Sequence, residues 1–259
     1  MKNILNILSG DFDTIYSSLS RPLKIFATQA CIHDLMLDLK VENLKQLYAE
    51  LETKPNEYNH YRLEVEKQSG FYAKKMKGEP LKNKYKIKMI KSISSKANES
   101  LNHKLWALLS FEDLAQLDLS SLREELGISA YTPRLFWNRC CHLIKNPERC
   151  GLMDLSDILL GYTQARSKSM IHPPLLDLSK VVHVIAAFLA HQYPNFDRFA
   201  FFKTIEKALK AENVSRENYP KDYHYSPEIR DWLEDPQTIY FADIHEPEEL
   251  ELLINQHRL

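Results

Sequence analysis

The scarcity of glycine constrains this chain more than any motif it carries: glycine fills 6 of 259 positions, about a third of the usual roughly 7%. A sheet protein built on tight turns needs residues that take positive φ without strain, and glycine supplies most of them. Its shortage therefore points to an all-α, multi-helix bundle. Hydrophobic residues make up 44% and charged residues 27%, the balance of a globular chain with enough apolar material for a sizeable core. The length admits one large domain or two small ones.

The apolar spacing supports helices along most of the chain. Ser20-Arg21-Pro22 reads as an N-cap with proline in the first turn, and Leu23, Phe26, Ala27, Ala30 and Cys31 then recur at helical spacing, which predicts a helix to about Lys40. Leu44, Leu47, Tyr48 and Leu51 predict a second helix, stopped near Pro55, and Tyr58 to about Lys77 reads as a third despite Gly70. Gly78-Glu79-Pro80 closes this N-terminal helical region, placed at residues 1–80. A lysine-rich connecting segment follows at 81–93, then a helical bundle at 94–213 and an acidic tail with short helices at 214–259. Within the bundle, helices are expected over Ser94 to Ser110, Leu114 to Leu126, from Thr132-Pro133, Leu152 to about Ile171, Val181 to Gln192, and from an Asn195 cap to about Ala211.

Charge is distributed unevenly. Lys74 to Lys104 holds ten lysines and two glutamates, a local +8, whereas Asp222 to Leu259 holds ten acids and two arginines, a local −8; the whole chain sums to −1. Either the two segments neutralise one another or solvate separate faces, or the basic one binds phosphate. Lys82, Lys84, Lys86 and Lys88 alternate with Asn83, Tyr85, Ile87 and Met89, the period of a strand with one lysine face. In a helical protein a lone strand lacks a partner. The segment is accordingly a short β-like arm, an edge segment, or a helix that defeats the pattern. These four lysines and Lys91 are the candidate nucleic-acid contacts.

No apolar run approaches the roughly 18 residues of a membrane span, and the N-terminal stretch lacks the roughly 7 to 15 apolar residues of a secretory signal. A cytoplasmic chain is expected. Four cysteines, two of them adjacent, do not make a disulfide framework. Cys140, Cys141, His142 and Cys150 also lack the paired short spacings of a zinc site, so no metal is expected.

One arrangement has catalytic potential. Leu155, Leu159, Tyr162 and Arg166 follow one another at spacings that put the arginine in line with an apolar stripe. A charge there calls for a partner, a ligand or an interface. His172 precedes Pro173, which places it at or beyond the helix end. In an unbroken helix the two side chains would diverge by about 120°. They share a site only if the helix ends between them or if they meet across a dimer interface.

Arg166, five intervening residues and His172-Pro173-Pro174, ahead of a strongly apolar helix, resemble the Arg-x4-6-His motif of the HEPN superfamily. The resemblance covers about residues 94–211. Ser167 stands where many members carry Asn, Asp or His. The resemblance implies an all-helical bundle and a metal-independent endoribonuclease of the kind found in toxins and antiviral defence. It further implies a homodimer joining two motifs, with RNA as substrate and no cofactor. His172 would serve as general acid or base and Arg166 would stabilise the transferred phosphoryl group, with Lys168 as a further phosphate contact.

The alternative is a non-catalytic nucleic-acid-binding or adaptor protein, acting on RNA or DNA, or a scaffold for an acidic protein partner. Residues 122–139 resemble a helix-turn-helix unit presenting Arg134, Asn138 and Arg139, although a plain helical hairpin fits them better. His183 and His191 read as core histidines. Neither a glycine-rich phosphate loop nor a Gly-x-Ser-x-Gly elbow is present.

Overall fold

A computed structural model describes residues 15–54, 60–110, 150–167, 182, 185–186 and 189–210. Among these the protein is all-α, with ten helices and no strand. They are α1 (Ile15–Ser18), α2 (Arg21–Asp38), α3 (Leu44–Glu52), α4 (His60–Ser69), α5 (Phe71–Met76), α6 (Lys84–Ile93), α7 (Ser95–Leu101), α8 (Lys104–Leu109), α9 (Leu152–Ser167) and α10 (Arg198–Lys210). No described helix is long and apolar enough to cross a membrane.

The chain divides into two compact units, one of residues 10–107 and one of residues 1–9 with 108–259. The lysine-rich segment and α7 thus lie in the unit of the N-terminal helices. The sequence pattern, by contrast, sets boundaries at 80 and 93, and the stretch 94–211 falls across the two units.

In the first unit α2 is the central element and packs most extensively on α7. The reason lies in its sequence: Leu23, Phe26, Ala27, Ala30, Cys31, Ile32 and Leu35 are all buried, and the two alanines let a neighbouring backbone approach closely. Burial of this set stabilises the unit by about 25 cal/mol per Å² of apolar surface removed from water. The helix ends in a Schellman arrangement in which Lys40 takes φ 55°, with Lys40 N–H donating to the Leu37 carbonyl and Val41 N–H to that of Met36. The same closure ends α5, and there the left-handed residue is Gly78, at φ 99°. A Cβ at Gly78 would meet Ile25 Cγ2 at 3.3 Å, so both backbone angle and space favour glycine.

Three expected helices are divided or shifted. Gly70, at φ 64°, separates α4 from α5 where the spacing predicts one helix, because a left-handed residue cannot continue a right-handed ladder. The predicted helix from Ser94 to Ser110 is α7 and α8, interrupted at Asn102 and His103. At α10 the cap is Asp197, whose Oδ1 accepts from Ala200 N–H at 3.0 Å, rather than Asn195.

His103 supplies the N-terminal acceptor for α8, its Nδ1 taking the Leu105 N–H at 3.2 Å. Only an unprotonated Nδ1 can do so. Burial, with Lys104 beside it, pushes the imidazole from 6.5 down to about 4. The unfolded chain therefore binds a proton at this site between pH 6.5 and 4 that the folded chain refuses, so stability is full above 6.5 and falls as pH drops toward 4. The shift corresponds to roughly 3 kcal/mol. Thermal unfolding of wild type and His103→Asn across this range tests it, since asparagine keeps the cap but does not titrate. The wild type is expected to lose more stability on acidification, and parallel pH profiles would refute the assignment.

Candidate nucleic-acid interface

The lysine-rich segment forms a helix rather than a β-like arm. The correction has a local cause. Asn83 caps α6, its side chain accepting from Tyr85 N–H at 2.9 Å, and the buried residues Lys86, Met89 and Ile90 follow a helical, not an alternating, spacing. At about 100° per residue, Lys84, Lys88 and Lys91 fall within about 60° of one another, and Lys86 lies on the far side. Lys82, Lys84, Lys88 and Lys91 are exposed, while Lys86 is buried. Of the four lysines that the alternation placed together, Lys82, Lys84 and Lys88 therefore remain on the surface, as does Lys91, and Lys86 points into the protein.

The approach to α6 is held by buried hydrogen bonds. Leu81 N–H donates to Thr28 Oγ1 at 3.2 Å, and the Thr28 hydroxyl pairs with that of Tyr16 at 2.8 Å. Gln29 Nε2 donates to the Met76 carbonyl at 3.0 Å. Lys75, itself buried, donates to Glu79 Oε2 at 2.9 Å and to the Pro80 carbonyl at 3.1 Å. Its ammonium holds the Glu79 carboxyl below the usual carboxylate range. Segment 79–83 is thus tied down on both sides, which fixes where the capped start of α6 begins.

From within, α6 is anchored by charge. Lys86 forms a buried ion pair with Glu66 of α4, and its ammonium lies 5.5 Å from the centre of the Phe71 ring. The Lys75 ammonium lies 5.2 Å from the same ring. One aromatic face system on α5 thus receives cations from its own helix and from α6, a favourable use of the ring quadrupole when the cations are desolvated. At the other end, Ser94 N–H closes α6 by donating to the Ile90 carbonyl at 2.8 Å, while Ser94 Oγ accepts from Ala97 N–H at 3.0 Å to open α7. A single extended residue is both the end of one helix and the cap of the next.

A second polar cluster joins α2 to α7. The Ser100 hydroxyl donates to Asp34 Oδ2, and Lys96 Nζ lies 3.8 Å from Oδ1. Trp106 Nε1–H donates to the Ser100 carbonyl at 2.7 Å. These contacts give partners to the buried Asp34 carboxylate and Trp106 indole, and they read as structural. Cys31 is free and fully buried, and burial pushes its thiol well above the ordinary range, so it has no nucleophilic character.

Of the residues implied in catalysis, Arg166 belongs to the described part of α9, whose Leu155 and Leu159 are buried. Lys168 and His172 lie outside the described residues, as do residues 122–139, Cys140, Cys141 and the acidic segment 222–259. Glu66, Phe71 and Tyr85 were not singled out from sequence as site residues. The stripe Lys86, Met89, Ile90 and Ile93, at spacings of three, one and three, is the signal that identifies α6 and turns Lys86 inward. No protein-family model, curated protein or solved structure matches the chain.

Proposed function

We propose that this protein binds nucleic acid, engaging the phosphate backbone through Lys84, Lys88 and Lys91 of α6, with Lys82 beside the helix start. The observation that supports the reading is the segregation of charge on α6: its lysines other than Lys86 share one exposed face, and the helix contains no acidic residue. Its ten residues span about 15 Å at 1.5 Å per residue, enough for two or three phosphates of one strand. Binding through so few contacts is weak and salt-dependent, with a slope of log K against log salt of about −0.7 per phosphate neutralised on a single strand.

Fluorescence anisotropy with labelled RNA across a salt series tests this. Changing Lys84, Lys88 and Lys91 together to alanine is expected to flatten the slope by roughly 2 and to weaken binding at low salt. Lys86→Met, made together with Glu66→Leu so that no buried charge is stranded, is expected to leave the slope unchanged, because that ammonium is paired with Glu66. Equal binding by the triple variant and the wild type would overturn the reading.

A second reading, the metal-independent HEPN-type ribonuclease acting as a homodimer, is supported by the sequence spacing that sets Arg166 after Leu155, Leu159 and Tyr162. Guanidinium on an apolar face suits a transferred phosphoryl group, and His172 supplies the proton transfers. Incubation with RNA in EDTA is then expected to give 2′,3′-cyclic phosphate ends, lost in Arg166→Ala and in His172→Ala. Full activity in either variant would sink the catalytic reading and leave binding by α6 intact.

A further inference from the structure

The exposed face of α6 carries one more group than phosphate binding requires. Tyr85 is 46% exposed, the one aromatic among the large hydrophobic residues with high exposure in the described part of the chain. On the helical wheel it lies about 60° from Lys88 and about 100° from Lys84, so its ring borders the lysine stripe. The backbone holds it there: Tyr85 N–H is the group that the Asn83 side chain caps, which fixes the first turn of the helix.

Resting on the nucleic-acid reading above, we infer that the ligand of this face is single-stranded nucleic acid, with Tyr85 stacking on an unpaired base while Lys84 and Lys88 hold the flanking phosphates. The argument is one of complementarity. Lysines alone neutralise a duplex or a single strand equally well, since both present a row of phosphates. A half-exposed aromatic ring beside those lysines can stack on a base only where bases are unstacked and turned outward, which a duplex does not offer and a single strand does. Lys84 and Lys88 are separated by about 6 Å along the helix axis, so both can engage one strand while the ring between and beside them meets a base. Stacking has little sequence preference, because every base has a π-face.

The test compares a labelled single-stranded RNA, the single-stranded DNA of the same sequence, a duplex, and a strand carrying consecutive abasic sugars. Each is titrated with wild type, Tyr85→Ala, Tyr85→Phe and the triple lysine variant. Tyr85→Ala is expected to weaken both single strands about tenfold while leaving the duplex, the abasic strand and the salt slope unchanged; Tyr85→Phe, which retains the ring, is expected to bind as wild type does. Equal strength with RNA and DNA assigns the recognition to base and phosphate, whereas a loss confined to one of them overturns stacking as the common mode. If the wild type and Tyr85→Ala bind single strands alike, the inference fails and the lysine reading survives. If the wild type binds none of the four ligands at low salt, both fail. Because Tyr85 is exposed, the variants are expected to keep the wild-type thermal midpoint, and a shifted midpoint with equal loss on all four ligands would count against a contact role.

Discussion

Glu66→Ala is expected to destabilise the first unit by about 3–5 kcal/mol, the cost of leaving a buried charge without its counter-ion. Both members of the pair with Lys86 are buried, with side chains 10% and 7% exposed. The pair joins α4 to α6, twenty residues apart in sequence. The Phe71 ring 5.5 Å away offsets only part of the loss. Replacing both partners, as Glu66→Leu with Lys86→Met, is expected to recover most of the stability or to exceed wild type, because well-packed apolar groups carry no desolvation penalty. Urea unfolding of Glu66→Leu, Lys86→Met and the double variant closes the cycle. A single-variant cost below about 1 kcal/mol would place the pair in water, contrary to its burial.

The second large effect is expected at Trp106, which is fully buried and donates its indole N–H to the Ser100 carbonyl at 2.7 Å. Trp106→Ala removes one of the largest core side chains and is expected to cost about 3–5 kcal/mol through lost burial and the cavity left behind. Trp106→Phe separates the two contributions. It keeps most of the apolar volume and deprives Ser100 of its donor, for an expected loss of about 1–3 kcal/mol. Equal unfolding midpoints for wild type and Trp106→Phe would show that water replaces the indole N–H at that carbonyl. Full stability in Trp106→Ala would contradict the packing itself.

The sequence made the helical class and several helix positions legible because they depend on local spacing. The apolar recurrence from Leu23 to Cys31 matches α2, and Leu44 to Leu51 matches α3. Breaks set by single residues were harder to read. Gly70 is tolerable inside a helix on composition alone, and only its left-handed backbone reveals that it divides α4 from α5. The lysine segment shows the limit most clearly. Over eight residues, an alternation of lysine with other residues looks like a strand, and the deciding evidence, Ile90 and Ile93, lies just beyond that window. Even with the helix assigned, no local rule links Lys86 to Glu66, since their meeting depends on how α4 and α6 pack. The anchoring of the interface is therefore a tertiary property, whereas its charge is a local one.

The double duty of Ser94 bears on how this surface can change over generations. With one residue serving as the end of α6 and the beginning of α7, no slack exists between the helix that carries the lysines and the helix that packs on α2. The bearing of the lysine row is therefore inherited from buried neighbours such as Ala97 and Leu101. Drift in those residues re-aims the row without touching a lysine, and a residue inserted at the elbow would rotate it out of line with whatever it meets. Selection acting on the ligand is then expected to leave its trace in the core as well as on the surface.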